Sequence, residues 1–255
     1  MCISNNDILK NMRRFYVNKK DINHNKAIIK GQDAIHLALV LRLVPGNIVE
    51  LVDGENTNYK AEIINISPFE IKLLILNKKL SMVESPVHIS IAQAMLKNKK
   101  MDILIRYLTE LGITEWIPFF SQRSIPKHCP KRIKSRIIRW EKIAKQALKQ
   151  CKRSNLPIIN KPVQFNEIIN ISKTYDTKIA FWEKSSLSIN TIKKQNKNNK
   201  IFVLIGPEGG FTDNEMQFAK NNGFNVFFLG PRILRAETAC IAGCTLIQNI
   251  FGDLG

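Results

Sequence analysis

Residues 203–213 read VLIGPEGGFTD, and residues 228–239 read FLGPRILRAETA. Each passes from an apolar run into a Gly-Pro turn and then into a segment of helical character. No other feature restricts the fold as much. Short apolar runs separated by helices suit a parallel sheet covered on both faces. In such a sheet, ligands bind beyond the carboxyl ends of the strands, where both turns would lie. Gly206, Gly209, Gly210 and Gly230 permit positive φ and close approach of a ligand to the backbone, while Pro207 and Pro231 stiffen the turns. GPEGG is not a phosphate loop. It matches neither GxxxxGK[ST] nor GxGxxG, and Glu208 would oppose a pyrophosphate, so a cationic or neutral ligand suits it better. The plainer reading makes these two ordinary helix-start turns with Glu208 facing water. Two such turns, both carrying uncommon charges at neighbouring strand ends, favour a shared site.

The front of the chain is patterned differently. RRFYV (13–17), KAIIK (26–30), NIVELV (47–52), YKAEIINI (59–66) and EIKLLIL (70–76) are short strand-like runs. They are broken by Pro45-Gly46, Asp53-Gly54 and Ser67-Pro68, and residues 32–42 have room for a helical turn or two. This predicts a small barrel over 12–79, with 80–86 as linker. After Pro86 come a strand at 87–95, a helix at 101–111, a strand at 113–120 and a helix at 131–151. Further strands are predicted at 179–182, 201–205 and 226–229, with a polar connector at 190–200. Thr212 and Glu215 form a capping box flanked by Phe211 and Met216, and a last helix covers 238–251.

Charge adds a partner. The net charge is +18, and the 33 residues from Ser121 to Arg153 hold twelve Lys or Arg against the single acid Glu141. Along 131–151, Ile133, Ile137, Trp140, Ala144, Ala147 and Cys151 recur at helical spacing, which leaves most of the cations on the other side. That face suits a polyanion, most simply nucleic acid. Five scattered cysteines fit free thiols in a reducing cytoplasm. Cys240 and Cys244, four apart, lack further ligands at metal-site spacing and read as small buried residues. No metal is implied. There is no 18-residue apolar run and no signal-peptide block, so no membrane association is expected.

LIGPEGGFT with LGPRILRAETA resembles the signature of the RsmE family, which methylates N3 of a uridine in 16S ribosomal RNA of the small subunit. KMDILIRYLTELGI (100–113), IPFFSQRS (117–124) and WEKIAKQALKQCKRSNLP (140–157) are similar to further family segments. MRRFYV (12–17) and AIHLALVLRLVPGNIVELVDG (34–54) are like its PUA-type barrel. The likeness covers almost the whole chain beyond an N-terminal extension at 1–11. Arg106, Gln122 and Lys149 depart from the residues common there. The resemblance implies a SPOUT-type α/β domain over 87–255: a parallel sheet with a deep trefoil knot, preceded by the small PUA-like β-barrel. It further implies an S-adenosylmethionine site, a homodimer, and small-subunit ribosomal RNA as partner, within the assembled subunit.

On that resemblance, Phe181, Glu183, Leu204, Ile205, Gly206, Pro207, Gly209, Gly210, Leu229, Gly230, Ile233 and Leu234 hold the cofactor. Arg235 would stabilise charge on the uridine carbonyls once N3 loses its proton, with Glu237 as base or as orienter of Arg235, and Glu208 as another base. An Arg235–Glu237 pair that merely caps the final helix is the plainer alternative. Arg14, His36, Arg42, Arg123, Arg136, Arg139, Lys149 and Arg153 would hold RNA, although His36 suits a core or strand-edge position equally well. Two rival functions share the pocket motifs: methylation of a ribose 2′-oxygen or another base, and a non-catalytic RNA-binding or assembly role.

Overall fold

Period-two alternation builds the first unit. The computed structural model describes residues 12–67, 69–97, 99–126, 129–192 and 200–255, so the extension at 1–11 and most of the connector at 190–200 lie outside the described residues. Six strands form one sheet: β1 (Arg14–Tyr16), β2 (Ile22–Asn23), β3 (Lys26–Lys30), β4 (Ile48–Val52), β5 (Thr57–Ile66) and β6 (Glu70–Leu80). Their order is β1-β4-β5-β6-β3-β2. Only the β1·β4 ladder is parallel. Alternate residues point inward, so Ala27, Ile29, Val49, Leu51, Ala61, Ile63, Ile71 and Leu73 share a buried core with Phe15 and Leu37. Helix α1 (Gln32–Ile35) continues as a π-helical turn, His36–Val40.

The unit runs through Glu84 and includes Leu148–Leu156. Strand β6 pairs with β5 as far as Leu80, so Lys78–Leu80 belong to the ladder and not to a flexible join. Glu84 fixes the later segment. Its Oε1 accepts from the backbone N–H groups of Ser154 and Asn155 at 2.6 and 2.9 Å, and its Oε2 accepts from Arg153.

The second unit, Ser85–Ala147 with Pro157–Gly255, is the parallel sheet that the two Gly-Pro turns require. Its strands are β7 (His88–Ala94), β8 (Glu115–Phe120), β9 (Ile158–Ile159), β10 (Val163–Gln164), β11 (Thr177–Phe181), β12 (Lys200–Ile205) and β13 (Asn225–Phe227). The order is β10-β8-β7-β12-β11-β13, with β9 beside β8, and every ladder is parallel. Helices α2 (Lys100–Glu110), α3 (Pro130–Cys151), α4 (Phe165–Ile171), α5 (Asp213–Asn221) and α6 (Ala236–Phe251) complete it. Phe119, Phe165, Phe202, Leu204, Phe211 and Met216 are buried in one core. On α3 the apolar stripe turns Trp140 onto Trp116 of β8, edge to face at 4.9 Å.

Register places the site. Phe181 of β11 is paired with Ile205 of β12 on one side and Phe227 of β13 on the other. Ile205 is paired in turn with Gln93 near the end of β7. Four strands therefore end together, and the segments that follow them emerge along one edge of the sheet.

Candidate active site

The segments after β11, β12 and β13 enclose a cavity of about 250 Å³. The turn after β12 contributes Gly206, Pro207, Glu208, Gly209 and Gly210, just beyond Ile205. Phe181 and Glu183 come from the end of β11, and Leu229, Gly230, Ile233 and Leu234 from the second turn. The two Gly-Pro stretches thus face one space. Leu204 does not. It is fully buried in the sheet core beneath, because neighbouring residues of a strand point to opposite faces.

Local chemistry explains the shape of the first turn. Gly210 N–H donates to Pro207 O at 3.0 Å. Gly210 has φ of +67°, and a Cβ there would stand 2.9 Å from Glu183 Oε1. A side chain would therefore be both strained and crowded. Thr212 then caps α5: its Oγ1 accepts from Glu215 N–H at 3.2 Å, and Glu215 Oε2 accepts from Thr212 N–H at 2.9 Å. Phe211 and Met216 are buried on either side of that box.

Further residues complete the lining. Trp182, Phe211, Arg232, Ala236 and Ala239 also line the cavity. Arg232 belongs to the GPRILR stretch, three residues before Arg235. Lys100 sits behind the turn, 3.3 Å from Glu208 Oε1 and 3.0 Å from Glu237 Oε2. It opens the quoted segment KMDILIRYLTELGI, the one signal that could have found it. Gln93, fully buried, donates from Nε2 to Gly206 O at 3.1 Å.

The three residues expected to act on the acceptor are placed differently from one another. Glu208 lines the cavity. Glu237 pairs with Lys100 instead of Arg235. Burial pushes the Glu237 carboxyl up, but its backbone hydrogen bond, Lys100 and Arg235 outweigh this and hold it below the ordinary carboxylate value. Its surroundings therefore favour the ionised carboxylate. Arg235 is exposed at the start of α6, outside the cavity lining, and forms no ion pair among the described residues.

Of the residues expected to hold RNA, His36 and Arg42 are exposed in the first unit. In the second, Arg123 is exposed and donates to Gly209 O at 3.0 Å. Arg136 is half-buried, and Arg139, 56% exposed, pairs with Asp102 at 2.7 Å. Lys149 pairs with Asp33 at 3.3 Å. Arg14 and Arg153 are engaged within the protein. The Arg14 side chain is 6% exposed, near Glu50, and bonds Asn58 and Ser154. Burial lowers its pKa despite Glu50. Arg153, 6% exposed at its side chain, is held by Glu84. Turning either to a phosphate would strand buried acceptors.

Two polar atoms of the cavity residues are buried without a hydrogen-bond partner, Glu208 Oε2 and Trp182 Nε1. One accepts and the other donates, so a ligand bearing both kinds of group would satisfy them. With apolar Phe181, Leu229 and Leu234 alongside, the lining fits a mixed apolar and polar molecule carrying positive charge. Among the described residues no helix is long and apolar enough to cross a membrane, and no cluster of three or more His, Cys, Asp or Glu could hold a metal. Cys240 and Cys244 are fully buried on α6.

Comparison with known proteins gives concordant results. Residues 83–248 match the RNA methyltransferase domain family, and residues 29–76 match the RNA methyltransferase PUA domain. The chain is 34% identical over 245 residues to ribosomal RNA small subunit methyltransferase E of Buchnera aphidicola subsp. Acyrthosiphon pisum, covering 96% of each. A putative methyltransferase from Legionella pneumophila, solved with bound S-adenosylmethionine, superposes with a TM-score of 0.88 at 27% identity. That match covers 95% of this chain and 99% of the other. Ribosomal RNA small subunit methyltransferase E from Neisseria gonorrhoeae, bound to S-adenosyl methionine, gives 0.85 at 27% identity, covering 96% and 100%.

Proposed function

The chain belongs to the ribosomal RNA small subunit methyltransferase E family, and we propose that it methylates N3 of a uridine in small-subunit ribosomal RNA, using S-adenosylmethionine. The observation that carries this reading is the single cavity bounded by both Gly-Pro turns, with an unsatisfied carboxylate oxygen and an unsatisfied indole N–H in its lining. The cofactor supplies an electrophilic methyl group on a positively charged sulfur. Leu229, Ile233, Leu234 and Phe181 offer it apolar contact, Gly206, Gly209 and Gly210 let it approach the backbone, and Glu208 provides the complementary charge. Orientation and local field are what the protein adds.

On the acceptor side, N3 must lose a proton, and the charge then spreads to the neighbouring carbonyl oxygens. Arg235, exposed beside the cavity residues of its own segment, and Arg232 in the lining are the cations that can stabilise it. Glu237 has an anchoring role, because Lys100 keeps it ionised. The RNA backbone is held by exposed polar and basic side chains, His36 and Arg42 in the first unit and the basic face of α3 with Arg123 in the second. A target uridine inside folded RNA is turned out of its stack to reach the methyl.

The finer features of the family reading are part of the proposal: a trefoil knot in the second unit, a homodimer, and the assembled subunit as substrate. The parallel order β7-β12-β11-β13, with β13 outermost and α6 packed on β12 and α2, supports the first. Labelled S-adenosylmethionine incubated with small-subunit RNA, and separately with assembled small subunits, tests the reading once the methylated atom is mapped. Methyl on uridine N3 is expected. Methyl on a ribose oxygen or another base would overturn the acceptor assignment, and cofactor binding with no transfer would leave an RNA-binding role.

A further inference from the structure

One cation joins the turn after β12 to helix α6. Lys100 is the first residue of α2, and its side chain is 29% exposed. Its Nζ reaches Glu208, in the turn after β12, and Glu237, in the first turn of α6. The Lys97 N–H, from the same connection between β7 and α2, donates to Glu208 at 3.1 Å. Both contacts fall on Oε1. The other oxygen, Oε2, is buried and lacks a hydrogen-bond partner, although Glu208 lines the cavity. An isolated ion pair at this exposure would add little. Here, however, the pair selects which carboxylate oxygen remains available.

We propose that Lys100 is a positioning residue, which grips Glu208 by Oε1 so that Oε2 meets a hydrogen-bond donor on the bound methyl donor, while its second contact ties the turn after β12 to α6. The inference rests on the cavity being the cofactor site. Charge balance agrees with it. Two carboxylates face one ammonium, with Arg235 influencing Glu237 from α6. Glu237 first, and Glu208 after it, raise the Lys100 pKa against the opposing effect of burial. Removing Lys100 leaves two like charges close together and frees the Glu208 side chain to rotate toward solvent.

Calorimetric titration of the full-length protein with S-adenosylmethionine alone provides the test, on wild type, Lys100→Met, Glu208→Gln and the double variant. Lys100→Met is expected to weaken cofactor binding by about tenfold, the size of one lost charge-assisted hydrogen bond. Glu208→Gln should weaken it at least as much. The double variant should be no weaker than Glu208→Gln, because Lys100 acts through Glu208. In methylation assays KM for the cofactor should rise far more than kcat falls, with Lys100→Arg recovering most of the loss. Unchanged affinity in Lys100→Met, or losses that multiply in the double variant, overturns the proposal. If Lys100→Met fails to fold, Glu208→Gln decides alone: undiminished affinity there removes the role given to Oε2. A wild-type protein that does not bind S-adenosylmethionine sinks the functional reading itself, a separate result.

Discussion

At the scale of single residues, the arginines of GPRILRAET are placed differently. Both are exposed, but only Arg232 borders the cavity. If Arg235 serves the acceptor, Arg235→Ala lowers kcat by about 10²-fold, as removal of one charge-stabilising donor does elsewhere. Cofactor affinity, read by titration, stays close to wild type. Arg232→Ala should weaken cofactor binding as well. Equal loss of affinity in both variants would place Arg235 on the cofactor side. These residues were legible as a motif, but their roles were not. Adjacent letters in a string say nothing of which side chain turns inward, and Lys100, over a hundred positions upstream of Glu208, has no sequence pattern linking it to either acid. Arg14 and Arg153 show the converse. As charges they looked available, yet Ser154, Asn58 and Glu84 had already taken them.

Elements were easier to read where the period was long. The stripe through Ile133, Trp140, Ala144 and Ala147 fixed α3, and Thr212 with Glu215 fixed the start of α5. Two-residue strands such as β9 and β10 carry no period to detect. Helix α4, with seven residues, gives only two turns of pattern, too few to show a period. Strand β6 outran its apolar code, since Asn77–Leu80 are exposed while their backbones still pair with β5. Helix α6 carries Gly243 at a close contact, with a measurable consequence. A Cβ at Gly243 would lie 2.7 Å from Cε2 of Phe181, which lines the cavity. Overpacking of this kind costs roughly 1–3 kcal/mol. Gly243→Ala should therefore lower the denaturation midpoint and, by displacing the Phe181 ring, also weaken cofactor binding. A stability loss with unaltered binding would mean that α6 shifts while Phe181 stays in place.

For the whole molecule, the surplus of positive charge must be separated into cations that hold the protein and cations that meet RNA. The sequence could not make that division, because a Lys in a run looks the same whether or not a distant carboxylate receives it. On α3 the structure separates paired cations from unpaired ones. Lys131, Arg132, Lys134 and Lys142 are exposed and form no ion pair among the described residues, whereas Arg139 is paired with Asp102. Counterion release then gives a number. Each phosphate neutralised adds about 0.7–0.9 to the slope of log K against log salt, so changing all four to Ala should flatten that slope by about three. Arg153→Ala should behave oppositely. It leaves Glu84 buried without its cation, so it should destabilise the fold by roughly 3–5 kcal/mol, as breaking a buried pair does, with the slope for the folded fraction unchanged. Equilibrium RNA binding at several salt concentrations, beside denaturant unfolding of the same variants, separates the two classes. A quadruple variant with the wild-type slope would mean that RNA runs elsewhere, leaving the charge on α3 a solvated surface.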